Sequence, residues 1–206
     1  MTKQAMAKVA WKPGTMLAPV PAVLVSCGGT GQWRPNLITI AWAGTVCSEP
    51  PMLSIAVRPE RWSHPILTET GEFVVNVPGL AQARAVDWCG VVSGRDTDKF
   101  AGAELTPGAA QVVGCPIVQE CPVNIECRTR QTLALGTHTL FLAEIVAVQV
   151  SAELLDESGR LMLERAELLA FAHGDYYALG KYVGHFGWSV AKRQTERDRQ
   201  RRGGEE

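Results

Sequence analysis

The chain holds no Cys-x-x-Cys pair, no apolar run approaching the roughly 20 residues of a membrane helix, and no surplus of either charge. Its longest apolar stretches, such as Leu140–Val150, are interrupted by Glu144 and Gln149, so no membrane span is expected. With 20 Lys and Arg against 21 Asp and Glu the net charge is −1, which leaves no global basic field to recruit nucleic acid or an anionic membrane. Met1–Val9 carries Lys3 and Lys8 but lacks the apolar run and small-residue cleavage site of a secretory leader. A cytoplasmic protein is therefore expected, its six cysteines reduced and free of structural disulfides. Cys115, Cys121 and Cys127 recur every six residues with Pro116 and Pro122 between them, which is not metal-ligand spacing, so they read as small core residues and no metal is expected. Gly29-Thr30-Gly31-Gln32-Trp33-Arg34 lacks the third glycine of a dinucleotide fingerprint, and no phosphate loop, nucleophile elbow or paired-histidine zinc motif occurs. A nicotinamide would have to visit a shared pocket.

What the sequence does have is apolar material for one core: 206 residues, 46% hydrophobic and 20% charged, enough for a single domain burying about 70% of its unfolded surface. One domain is expected, followed by a charged tail at 191–206. Val20–Ser26, Leu37–Ala43 and Met52–Val57 read as strands, separated by Gly28–Gly31 and by a Ser48-Glu49-Pro50-Pro51 turn. Ser63–Leu67 reads as a short helix, capped by the Ser63 hydroxyl and stopped by Gly71. Phe73–Val77 reads as a strand at a sheet edge and Leu80–Cys89 as a covering helix. After a loop over Arg95–Gly114, further extended or amphipathic segments are expected at Val123–Arg130, Thr137–Val150 and Leu161–Leu169. Short strands at 8–15-residue intervals with few helices suit a mainly β protein with short helices, a small barrel, over a parallel sheet.

Polar residues concentrate at Asn36, Thr39, Trp42, Thr45, Cys47 and Ser48, followed by Ser54, Arg58, Arg61, Ser63 and His64. Carboxamide, hydroxyl and loop N–H groups there could hold the edge of a flat heteroaromatic ring while Trp42 packs beside it. Turn chemistry and core filling would explain the same residues. Two arginines and a hydroxyl just before a helix N-terminus form a candidate anion site, since orphan N–H groups and bidentate guanidinium donors favour phosphate; surface roles for Arg61 and Glu60 are the alternative. Gly90–Phe100 carries Ser93, which could cap or bind an oxyanion, and Lys99, a mobile cation or simply a solvated one. His138 at a strand start could donate to a ligand or be surface decoration, as could His173 and His185. The cations Lys192, Arg193, Arg197, Arg199, Arg201 and Arg202 read as a solvated tail.

Taken in order, Pro35–Ile66 (PNLITIAWAGTVCSEPPMLSIAVRPERWSHPI), FVVNVP, GVVSGRDTDKF, ECPVNIECR and GTHTLFLAEIVAV resemble the flavin reductase-like family with its FMN-binding split barrel, over about Thr15–Ser189. Within that family the pattern is most similar to the flavoredoxin branch. The resemblance implies an FMN-containing homodimer with the flavin near the subunit interface. It matches Asn36, Thr39 and Trp42 to positions around the isoalloxazine, and Thr45, Val46 and Cys47 to a loop contacting it. Arg58, Arg61, Ser63 and His64 match the ribityl and phosphate side, with Ser54 in the same run, and Lys99, His138 and Phe171 match further flavin-side positions. It implies electrons taken from NAD(P)H and passed to a flavin or small acceptor; the alternative is a carrier serving a protein redox partner. Lys99 and His138 are the expected tuners of the flavin's charge, and the basic tail falls outside the pattern.

Overall fold

The computed structural model describes residues 6–190, so the six tail cations named above lie outside the described residues. Along the chain run β1 (Val20–Pro21), β2 (Val23–Cys27), β3 (Asn36–Ile40), β4 (Ala43–Ser48) and β5 (Pro51–Val57), then α1 (Ser63–Thr70) and β6 (Glu72–Val77). A 3-10 turn at Leu80–Gln82 leads into α2 (Ala83–Val91), followed by α3 (Lys99–Gly102), β7 (Pro107–Gly108) and β8 (Ile117–Val118). The long β9 (Val123–Leu135) and β10 (His138–Val150) precede β11 (Leu169–Ala172) and β12 (Asp175–Ala178). A seven-stranded sheet in the order β3-β2-β6-β9-β10-β5-β4 curls into a split barrel, with β1, β11 and β12 forming a second, three-stranded sheet.

Strand β2 shows why the apolar run at Val23–Cys27 does not alternate with polar residues. Val23, Val25 and Cys27 enter the barrel core with Ile38, Ile55, Phe73 and Phe141. Leu24 points to the other face, where Val86 and Cys89 of α2, Phe100 and Leu169 cover it. Both faces are covered, as in strands that read as continuous hydrophobic segments. Cys27, Cys115, Cys121 and Cys127 are buried, and all six cysteines are free thiols. Burial pushes Cys27, Cys121 and Cys127 up to about 12, which makes them inert as nucleophiles.

Several sequence expectations are corrected. The strand expected over Leu37–Ala43 ends at Ile40, and a separate edge strand follows at Ala43–Ser48. That strand carries Gly44 and exposes most of its side chains, so it has no hydrophobic period to read. The expected turn ends before Pro51, which opens β5. Phe73–Val77 is not at an edge: it is flanked by β2 and β9. Within Arg95–Gly114 the chain forms α3 and β7, and Leu161–Leu169 contains a 3-10 turn at Leu163–Ala166 before β11. The segment expected over Val123–Arg130 extends, as β9, past Arg130 to Leu135, because Gln131–Leu135 pairs with the start of β10.

Candidate functional site

Two cavities meet at the open side of the barrel. The larger, about 570 Å³, is floored by Ile38, Ile40, Ala41, Ala56 and Val57 and bordered by Thr39, Trp42, Arg58, Arg61, His138 and Phe171. The smaller, about 170 Å³, is lined by Arg61, Trp62, Ser63, Val91, Val92, Ser93, Gly94 and Lys99, with Glu60 and Ile38. Ile38 and Arg61 belong to both, so the two form one trough with an apolar wide end and a cationic narrow end. The wide end suits a flat ring system with a few polar edge atoms, and the narrow end suits a small anion.

The narrow end is built by α1 and by the segment after α2. Ser63 is buried but does not cap α1: Trp62 is the N-cap and makes no side-chain cap bond. Ser63 Oγ instead accepts a hydrogen bond from Asn36 Nδ2 at 2.8 Å, and its hydroxyl also reaches the Cys27 thiol. Ser93 Oγ likewise accepts from the Arg95 backbone N–H at 3.2 Å and keeps its proton. Lys99 is neither mobile nor solvated. It is 2% exposed, and its Nζ donates to Cys89 O at 2.7 Å, while Arg61 Nη2 donates to Gly90 O at 2.7 Å. The two cations thus meet the final carbonyls of α2, the negative end of a helix that has no basic residue in its own last turn. Burial, with the Arg61 charge adding to it, lowers Lys99 from 10.5 to about 8. Asp98 Oδ1 caps α3 by accepting from Phe100 and Ala101 N–H, which fixes the chain carrying Lys99.

Of the other expected site residues, Thr39 borders the wide end and donates its hydroxyl to Val86 O. Arg58 is there too, paired with Glu60 at 3.1 Å, and this pairing draws the Glu60 carboxylate toward Arg58. His138 holds Thr137 Oγ1 at 2.9 Å through Nδ1, and Phe171 stacks edge-on with Tyr176. Asn36 lies beneath the trough as a brace between Ser63 and Gly94. His64 turns away: its Nε2 meets Thr139 Oγ1 at 2.9 Å, its ring abuts Phe141, and burial lowers its pKa. Thr45, Val46 and Cys47 occupy edge strand β4 and line neither cavity. Ser54 faces a third, apolar cavity of about 450 Å³ across Trp42, walled by Met16, Leu17, Gly44 and Leu140. His173 sits exposed in the β11–β12 turn, in the left-handed region at φ 55°.

Sequence reading missed Arg34 and Trp62. Arg34 Nη2 reaches Gly94 O, Arg95 O and Thr97 O at 2.8, 3.0 and 3.3 Å. Trp62 stacks edge-on against Trp33 and lies under the Arg95 guanidinium, and its indole N–H is buried without a partner. The adjacency of Arg34 to Asn36 was the available signal. Among the described residues no cluster of His, Cys, Asp or Glu could hold a metal ion, and no helix is long and apolar enough to cross a membrane.

The flavin reductase like domain model matches residues 15–180. The flavoredoxin of Desulfovibrio vulgaris (Miyazaki F) superposes with a TM-score of 0.83 at 31% identity, covering 90% of this chain and all of that one. A flavoredoxin from Methanosarcina acetivorans gives 0.80 at 26%, with the same coverage. In sequence, the FMN reductase (NADH) RutF of Stutzerimonas stutzeri is 32% identical over 111 residues, 52% of this chain and 60% of its own length.

Proposed function

Because the chain belongs to the flavin reductase-like family, we propose that it is an FMN-binding oxidoreductase that takes electrons from NADH or NADPH and passes them to a flavin or small acceptor. The observation that carries this reading is the two-part trough, apolar and aromatic at one end, with Arg61, Lys99 and the hydroxyls of Ser63 and Ser93 at the other. FMN fits that polarity. Arg61, Lys99, Ser63 and Ser93 would hold the phosphate, while Trp42, Phe171 and the Ile38–Ala41 floor would hold the ring. At about 170 Å³ the narrow end takes a phosphate monoester and has little room for an adenylate beyond it. When bound, FMN supplies the redox chemistry, and the protein positions it and sets its electrostatics. His138 is the polar group at the ring end placed to tune it, and Lys99, by its position, acts on the phosphate. The absence of a dinucleotide fold leaves the open face of the trough as the place where a nicotinamide docks.

The flavoredoxin likeness favours a second reading, a carrier exchanging electrons with a redox protein. Anaerobic addition of NADH or NADPH to the FMN-loaded protein should bleach the flavin band at about 450 nm. Persistence of the band with both nucleotides, together with fast reduction by a redox protein, would select the carrier. A protein that ignores added FMN would end both readings. We also propose a cytoplasmic homodimer, supported by the free thiols and by large apolar side chains standing in solvent at Trp11, Leu17, Val183 and Phe186.

The Lys99 shift gives a pH dependence. A phosphate dianion needs Lys99 charged, so the FMN dissociation constant should rise about tenfold between pH 7 and 9, and Lys99→Met should flatten that slope. Stability of the FMN-free protein should move the other way. The unfolded chain binds the proton more tightly, so stability rises as pH passes from about 8 toward 10.5. Fluorescence titration across pH measures the first and urea unfolding the second.

A further inference from the structure

The wall of the narrow cavity formed by Val91–Gly94 continues into a segment without regular structure that ends at Asp98. Such a segment keeps its shape only if its carbonyls are gripped from outside. They are gripped by one atom. Arg34, on the connection between β2 and β3, places Nη2 within reach of Gly94 O, Arg95 O and Thr97 O. Two hydrogens serve three acceptors there, so at least one is shared. The same connection and the first residue of β3 hold the rim at two more points. Trp33 abuts Trp62, over which Arg95 lies at 5.3 Å. Asn36 presses against Gly94 so closely that a Cβ on Gly94 would fall 1.8 Å from Asn36 Oδ1.

We infer that Arg34 is a specificity-determining positioning residue: by fixing the Gly94–Thr97 carbonyls it holds the cavity wall in the shape that recognises a terminal phosphate monoester, without touching the ligand. Its effect is confined to phosphate because the wide cavity shares no residue with the narrow one beyond Ile38 and Arg61, and none with the Val91–Gly94 wall. Arg34 is itself exposed and belongs to no hydrophobic core cluster, so replacing it leaves the core packing in place. The inference rests on the proposed binding of FMN, and it makes Arg34 the source of discrimination between FMN and riboflavin, which share the ring and differ in the phosphate.

The test is fluorescence titration of the full-length protein, Arg34→Met and Arg34→Lys with FMN and with riboflavin, and in parallel isothermal calorimetric titration with inorganic phosphate. Arg34→Met should weaken FMN five- to tenfold and inorganic phosphate similarly, while riboflavin stays within twofold and the thermal midpoint barely moves. Arg34→Lys, with one cationic donor group, should recover part of the loss. Equal weakening of both flavins, or unchanged FMN and phosphate affinity, would overturn the assignment. If the unaltered protein binds neither flavin, the proposed function fails and the phosphate arm still decides: phosphate bound by the parent and lost in Arg34→Met upholds the role of Arg34, and any other outcome removes it.

Discussion

Glu126→Ala is expected to lower the unfolding free energy by about 3–5 kcal/mol, the largest loss anticipated for any single side chain here. Glu126 lies on β9 with no exposed surface, and its carboxylate accepts hydrogen bonds from the backbone N–H groups of Gln111, Val112 and Val113 at 2.8, 2.7 and 3.1 Å. Gln149 Nε2 adds a fourth at 3.2 Å. Burial works to raise the Glu126 pKa, but those donors outweigh it and hold the carboxyl below the ordinary glutamate range. Removing the acceptor strands the three backbone donors and frees the loop that brings Val113 and Cys115 onto Val74. Glu126→Gln keeps one acceptor oxygen and should lose about half as much. Because the folded value lies below the unfolded one, the contribution is complete above the usual glutamate range and disappears as pH falls beneath it. Urea midpoints at neutral and acid pH measure both effects. A Glu126→Ala midpoint equal to the parent's would mean that the loop is held by packing alone.

This carboxylate also marks where sequence reading stops. In ECPVNIECR a glutamate between Ile125 and Cys127 looks like the polar half of an alternating strand, and solvent is its default neighbour. It is buried because a loop 13 to 15 residues earlier folds over it, and no local pattern reports a contact of that kind. The barrel strands β2, β5, β6 and β10 were legible because their apolar side chains are dense and β-branched. Strand β4 was not, since an edge strand needs neither. The same asymmetry runs through the site. Arg61, Ser63 and Lys99 stood out as charge and hydroxyl near helix ends, and the fold brings them to one cavity. Thr45, Val46 and Cys47 were tied to the flavin by the family resemblance, and the fold sets them on a strand that lines neither cavity. Whether a side chain faces the trough or the solvent depends on where the strand breaks after Ile40, and the Ala-Trp-Ala-Gly sequence there carries no turn signal except Gly44.

Arg61→Ala is expected to weaken FMN binding by about 2–3 kcal/mol, roughly 30- to 150-fold, because a phosphate would lose a charge-assisted donor that no neighbour can replace. Arg61 is the one cation lining both cavities, so it stands where ring and phosphate ends join. Its Nη2 is committed to Gly90 O at 2.7 Å, which orients the guanidinium and leaves its remaining N–H groups for a ligand. Lys99 cannot substitute, since it is held on Cys89 O and is already partly neutral near pH 8. The loss should therefore be larger than that from altering Arg34, which acts only through the wall. It should also shrink for riboflavin, which offers no phosphate to pair with. Arg61→Lys separates charge from geometry: a lysine ammonium restores the charge but cannot hold Gly90 O and a phosphate in one planar fork, so most of the affinity should stay lost. Fluorescence titration of the three proteins with FMN decides it. An Arg61→Ala variant that binds FMN as tightly as its parent would return Arg61 to the role of a helix-end cap on α2 and leave the phosphate corner to Lys99 and the two serines alone.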